Sequence, residues 1–350
     1  MNKEDLRFDY KPVIIIDDIG KITHEEWLVS RMKGIGGSDA GAILGVNKYT
    51  SPYEVALKKI GVLADTETSP DQQYTLDFGH SMEPLMLDYY QKITGFRVFT
   101  DRAQYCHPDY PFMLADCDGF AELPDGQVIG LELKTYNYEQ KALWKSGVYG
   151  KDGVIKNPEY AVQVAHYMSV MNLERFDLLA QCGNSAKDMV IVTFYRGRDF
   201  EAYMITEEKR FWENLEAGIL PPVVTVGERS YERIVDSLTE KRGAERIELP
   251  DTVQENLEEI RSLQEEKSEL NAQIKKLEER LNAVRIPVIE ALGGHEEGKC
   301  GKYIVTFRGT EKSSVDADRF RLTYPELYPQ FLKTALTKPV MRIKEEHLRK

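Results

Sequence analysis

The chain has 350 residues, 42% apolar and 30% charged, with a formal net charge of −12. That length can bury one large core or two ordinary ones, and the acidic balance argues against a general nucleic-acid coat, which would be basic, while leaving room for local positive charge along a phosphate path. No apolar run approaches the ~20 residues of a membrane span, and residues 1–11 mix acids and bases without a secretion signal's apolar stretch, so a cytoplasmic chain with no membrane role is expected.

In chain order, residues 13–16 are strand-sized. Residues 23–30 read as a helix, the glycines of 34–37 as a turn, and 38–44 as a short helix capped by Ser38. Another helix is expected over 52–60, ended by Gly61. Residues 69–74 are polar and loop-like. A helix over 82–93 would carry Pro84 in its first turn and Gly95 past its end. Residues 112–117 and 128–134 read as strands separated by the turn Pro124-Asp125-Gly126. A helix over 158–171, strands over 178–180 and 189–195 and a closing helix over 206–217 complete a compact domain of residues 1–225.

Pro221-Pro222 announces a polar linker over 226–250. Residues 251–286 follow as one long helix, with Thr252 and Glu255 spaced for a capping box. Its apolar residues Val253, Leu257, Ile260, Leu263, Leu270, Ile274, Leu277, Leu281 and Val284 are separated by steps of 3, 4 and 7, as in a coiled coil. The successive 3-residue steps at Leu257, Ile260 and Leu263 break register like a stammer, and Pro287 is expected to stop the helix. Such a helix spans about 50 Å, too long for a small core, so it should pack on another helix of this chain or of a partner. Residues 287–350 read as a small α+β module, with a strand over 303–307 and a turn into a helix over 315–324. Cys106, Cys117, Cys182 and Cys300 are far apart and form no CxxC pair, which argues against a disulfide framework, a zinc site or an iron–sulfur cluster and favours buried thiols.

The chemistry concentrates in the strand ending Leu131-Glu132-Leu133-Lys134. Side chains alternate across a strand, so Glu132 and Lys134 project from the face opposite Leu131 and Leu133. The preceding strand ends at Asp118, and a hairpin-like connection would set Asp118 beside Glu132. Two carboxylates and an ammonium at one sheet end suit phosphodiester hydrolysis: hard oxygens hold Mg²⁺, the ion acidifies a bound water, and a nearby lysine, its pKa drawn down by the ion, holds or deprotonates that water. A solvated surface Glu–Lys pair fits the same spacing. Glu83, expected in a first helical turn, serves either this site or the helix dipole. Gln163 shares a helix face with Tyr160 and Tyr167; if buried it needs a polar partner, either a site group or an ordinary core one. Arg31 and Ser38 flank the glycine turn, and a helix start with a guanidinium beside it suits a phosphate, although an ordinary capped helix fits too.

Taken together, Gly36-Gly37-Ser38-Asp39-Ala40 after Arg31, Gly79 to Pro84, Ala115-Asp116-Cys117-Asp118-Gly119, Leu131-Glu132-Leu133-Lys134 and Gln163 to Met168 resemble, in order, the motifs of the YqaJ-like viral recombinases. These belong with lambda exonuclease in the PD-(D/E)xK nuclease superfamily, and the resemblance spans residues 25–215. It implies an α/β (α+β) fold of the restriction-endonuclease-like kind, with a mixed central β-sheet flanked by helices. It also implies an Mg²⁺-dependent (Mn²⁺ substituting) 5′-to-3′ exonuclease on double-stranded DNA ends. Such an enzyme would act in phage or prophage-type recombination with a single-strand annealing protein, as a homo-oligomer in the bacterial host cytoplasm. Under it, Asp118, Glu132 and the Leu133 backbone carbonyl hold metal, with Glu83 supporting directly or through water. Lys134 positions and activates the attacking water, Gln163 orients water or phosphate, and Arg31 with Ser38 holds the terminal 5′-phosphate. Cys117 stands where the motif's proline would be. The segment beyond residue 250 lies outside that core, and a ring around DNA would need basic residues such as Lys33, Lys48, Lys141 and Lys145 along its hole. The same site could instead serve an endonuclease, or be vestigial in a scaffold that recruits through the long helix.

Overall fold

In the computed structural model, which describes residues 6–7, 9–63, 70–224, 231–235, 247–309 and 317–331, the chain divides into two units, Met1–Gly243 and Ala244–Lys350. The first contains β1 (Val13–Ile16), α1 (His24–Met32), α2 (Gly37–Ile43), α3 (Pro52–Lys59), α4 (Pro70–Thr94), β2 (Arg97–Phe99), β3 (Gln104–Cys106), β4 (Leu114–Ala115) and β5 (Gly119–Glu122). It continues with β6 (Val128–Tyr136), β7 (Gly147–Val148), α5 (Glu159–Met171), β8 (Arg175–Cys182), β9 (Met189–Tyr195) and α6 (Arg198–Glu216).

Strand β6 organises the unit because both its faces are buried. Ile129, Leu131 and Leu133 pack with Met86, Leu87 and Tyr90 of α4, while Gly130 lies under Phe176, whose ring would sit 2.0 Å from an added Cβ. Each leucine so buried contributes about 1.5–3 kcal/mol. The central sheet runs β2-β5-β6-β8-β9-β7 and is mixed: β6 pairs in parallel with β8 and antiparallel with β5. This is the mixed central sheet flanked by helices expected above. A second sheet, β1-β3-β4, is antiparallel.

Several elements differ from expectation. Helix α4 begins at Pro70, so residues 70–74 are helical rather than loop-like; residue 69 lies outside the described residues. The polar Gln73 belongs to this helix, its Nε2 donating to Asp77 Oδ1 at 2.8 Å across one turn. Pro84 is therefore mid-helix, at an exposed position where losing one backbone bond is tolerated. The expected strand over 112–117 shrinks to β4, which pairs with β3; the neighbour of β6 is β5, whose Gly119 faces Leu131. Helix α6 starts eight residues before the expected 206, at Arg198, and its added turns bury Ala202, Met204 and Ile205. Ser38 is not the cap of α2: Gly36 is, with Asp39 reaching back to its N–H. Cys106, Cys117 and Cys182 are buried as expected, but Cys300 is exposed.

The second unit is α7 (Gln254–Leu292), the hairpin β10 (Glu297–Cys300) and β11 (Tyr303–Thr306), and α8 (Ala317–Thr323). Helix α7 runs for 39 residues and through Pro287, ending at Gly293 with φ 56°, where a residue free of Cβ sits without strain. The Thr252–Glu255 capping box does not form: a 3₁₀ turn over Asp251–Val253 precedes the helix and Val253 makes no side-chain cap. No described residue of α7 is buried. Among the described residues, no helix is long and apolar enough to cross a membrane.

Candidate active site

Asp118 lies in the bend between β4 and β5. Because Gly119 registers with Leu131, Asp118 falls opposite Glu132, and its Oδ2 accepts the Leu133 N–H at 2.7 Å. Glu132 is only 2% exposed. Its Oε1 accepts from Gln163 Nε2 of α5 at 2.7 Å and from the Lys134 ammonium. Lys134 Nζ also lies 5.1 Å from the centre of the Tyr160 ring, a cation–π contact, and the Tyr160 hydroxyl meets that of Tyr136 at 2.8 Å. Gln163, which as a lone buried amide required a partner, has Glu132 as that partner. Glu83 of α4 is half-buried at the same sheet end, in mid-helix rather than in a first turn, so the helix-dipole explanation for it falls away.

The electrostatics are those of too many carboxylates in too little water. Burial, then the charge of Asp118, pushes the pKa of Glu132 up to about 8. Asp118 is raised by burial against the opposing pull of Lys134, and Glu83 by burial and the Asp118 charge. Burial draws Lys134 down, but Glu132 and Asp118 outweigh it and hold the ammonium above its ordinary value. Among the described residues, Glu132 Oε2 is buried with no hydrogen-bond partner. Such an orphaned oxygen is costly, and a cation would satisfy it. Hard oxygens of Glu132, Asp118 and Glu83 are the donor chemistry Mg²⁺ takes, so the residues present fit a divalent ion. Among the described residues, no three His, Cys, Asp or Glu side chains form an ion-binding group by themselves.

Arg31 and Ser38 meet beside this cluster. Arg31 Nη2 donates to Ser38 Oγ at 2.7 Å and the guanidinium lies 5.0 Å from the centre of the Trp27 ring. Asp39 stands 3.8 Å from Arg31, and Lys59 holds Asp39 at 2.6 Å and the Arg31 carbonyl at 2.8 Å. Gly37 explains how this corner reaches the carboxylates: an added Cβ would lie 2.7 Å from Tyr167 and 2.8 Å from Gln163, so only glycine lets α2 press onto α5 there.

Sequence reasoning gave no role to His80, Asp116, Trp27 or Lys59. His80 acts on both Glu83 and Asp118 from one turn before Glu83. Asp116, raised by burial with Arg31 opposing, bonds to Trp27 and contacts the Tyr167 hydroxyl at 3.5 Å, joining the two corners. His80 and Asp116 lie inside the motifs quoted above, and that spacing was the available signal.

Residues 26–174 match the YqaJ-like viral recombinase domain, a span containing Arg31, Ser38, Glu83, Asp118, Glu132, Leu133, Lys134 and Gln163 and bearing out the resemblance read from the motifs. Among individual relatives, the chain is 26% identical over 314 residues to the uncharacterized protein YqaJ of Bacillus subtilis (strain 168), covering 89% of this chain and 92% of that one. Among solved structures it is similar to LHK-Exo in complex with dAMP (TM-score 0.43, 21% identity) and to the alkaline exonuclease LHK-Exo from Laribacter hongkongensis (TM-score 0.43, 20% identity), each over 55% of this chain and 93% of the other.

Proposed function

We propose that this chain is a metal-dependent DNA nuclease of recombination, and specifically a 5′-to-3′ exonuclease on double-stranded ends. The observation that carries the reading is the unpartnered, buried Glu132 Oε2 beside Asp118, with the Lys134 ammonium at the same carboxylate. The match to a viral recombinase domain supports the recombination setting. Asp118, Glu132 and the Leu133 carbonyl would hold Mg²⁺ (or Mn²⁺), with Glu83 supporting them. Bound there, the ion would acidify water and offset charge building on the phosphate.

The chain's own groups do the rest. Lys134, charged as it stands, donates to the attacking water and a phosphate oxygen and so fixes the line of approach. Gln163 holds Glu132 Oε1 and leaves Oε2 free for the ion. Arg31 offers a planar, bidentate donor to a terminal 5′-phosphate, and would exchange its bond with Ser38 for two to that phosphate. A single-strand annealing protein is the partner that would take the exposed strand onward.

The test is nucleotide release from linear and covalently closed duplexes with Mg²⁺ or a chelator. Release from the linear form alone, abolished by the chelator, is the expected result. Cleavage of the closed circle would indicate an endonuclease, and no release from either would favour a recruitment scaffold.

A further inference from the structure

Helix α7 shows a half-exposed apolar seam whose order is strict from Ile260 on. Ile260, Lys267, Ile274, Leu281 and Val288 fall at one heptad position, a, and Leu263, Leu270, Leu277 and Val284 at the other, d. Leu270, Ile274, Leu277, Leu281 and Val284 are each 45–65% exposed. A seam of this kind buries itself only against a second helix, and the charges beside it discriminate between pairings.

In a parallel, in-register pair, Lys267 would face Lys267 of the other copy, and Arg280 at g would face Arg285 at e twice over. Like charges so placed are destabilising, and no flanking pair of opposite charge compensates. Turning one helix round removes both conflicts. With a two-fold axis at residue 272, close to the middle of Gln254–Leu292, the layers become Ile260 on Val284, Leu263 on Leu281, Lys267 on Leu277 and Leu270 on Ile274. Lys267 then lays its aliphatic stem on a leucine and keeps its ammonium in water. Glu266 and Arg280, both at g, face each other twice, once on either side of the axis. Among the described residues neither has an ion pair within its own chain, so both have their charge to offer.

We infer that α7 pairs with α7 of a second copy of this chain as an antiparallel two-stranded coiled coil centred on residue 272. The pairing rests on the second unit alone and stands or falls apart from the nuclease reading. It joins two chains through their C-terminal units.

The test uses the full chain. Arg280→Glu sets a second carboxylate against Glu266 in the antiparallel pair and should raise the dissociation constant on the order of tenfold, while Glu266→Arg with Arg280→Glu should restore it. In a parallel pair Arg280→Glu would instead meet Arg285 and tighten binding. Tightening, no change, or a chain that stays monomeric at every concentration would overturn the proposal. Circular dichroism checks that each variant keeps its helix. An independent arm places a spin label at Glu258→Cys in a Cys300→Ser background. An antiparallel pair separates the labels by about 42 Å along the axis, whereas a separation of about 20 Å, expected for outer-face positions on side-by-side parallel helices, would contradict it.

Discussion

Leu131 and Leu277 are the same side chain in two regions that treat it differently. Leu131 is 0% exposed, closed between β6 and α4, while Leu277 is 58% exposed on α7. The first unit closes Leu131 into a core and holds the Glu132 carboxylate, 2% exposed, in the same low-dielectric interior. In the second, α7 carries a repeating apolar seam with no buried residue among those described, so its stability depends on what covers it. The two proposals thus place chemistry and association in separate regions of one chain.

Several variants test that division, beginning with the largest effect. Lys134→Ala should cut the rate of nucleotide release about a thousandfold or more while leaving the thermal unfolding midpoint close to that of the unaltered chain, because the lysine is part-exposed. Retained turnover would remove it from the reaction.

Leu131→Ala should destabilise by about 2–5 kcal/mol in chemical denaturation. Leu277→Ala should leave the unfolding of the first unit unchanged and appear only in the dissociation constant between copies. Equal effects of the two on unfolding would erase the distinction between the regions.

His166 probes the interior itself. It is fully buried, with Nδ1 3.0 Å from Glu208 and Nε2 donating to the Leu114 carbonyl at 2.9 Å. Burial lowers its pKa, but Glu208 outweighs burial and the net shift is upward from 6.5. The proton is therefore held more tightly folded than unfolded. That stability is fully present below about 6.5 and is lost as pH rises through the raised folded value. His166→Asn should cost about 3 kcal/mol at pH 6 and flatten the pH dependence above it; an unchanged pH profile would contradict the charged pair.

Arg31→Ala should have the smallest effect, about tenfold, and on 5′-phosphorylated ends only. An equal loss on phosphorylated and unphosphorylated ends would sink the phosphate pocket.

What the sequence made legible was strongest where periodicity and chemistry coincide. In β6, alternation set Leu131 and Leu133 against Glu132 and Lys134, and the observed faces follow it. The approach of Asp118 to Glu132 was legible too, but through the wrong strand: β5 is four residues long and carries no alternating pattern, so only the folded chain reveals the register that aligns them. The early start of α4 was hidden because exposed helical turns and loops share polar composition, and Pro84 looked like a beginning rather than a tolerated interruption. Ser38 was misread as a cap because glycine at Gly36 does that work through its backbone. The buttress of Lys59 on Asp39 joins residues twenty positions apart, a distance over which sequence spacing carries no information.

The most direct measurement follows the release of labelled nucleotides from a linear duplex bearing 5′-phosphates, in Mg²⁺ and then in chelator, for the unaltered chain and for Glu132→Gln. Steady release in Mg²⁺, stopped by the chelator and by the loss of that one carboxylate charge, is the expected outcome. Release that continues in Glu132→Gln would mean the buried carboxylate is not where the reaction takes place.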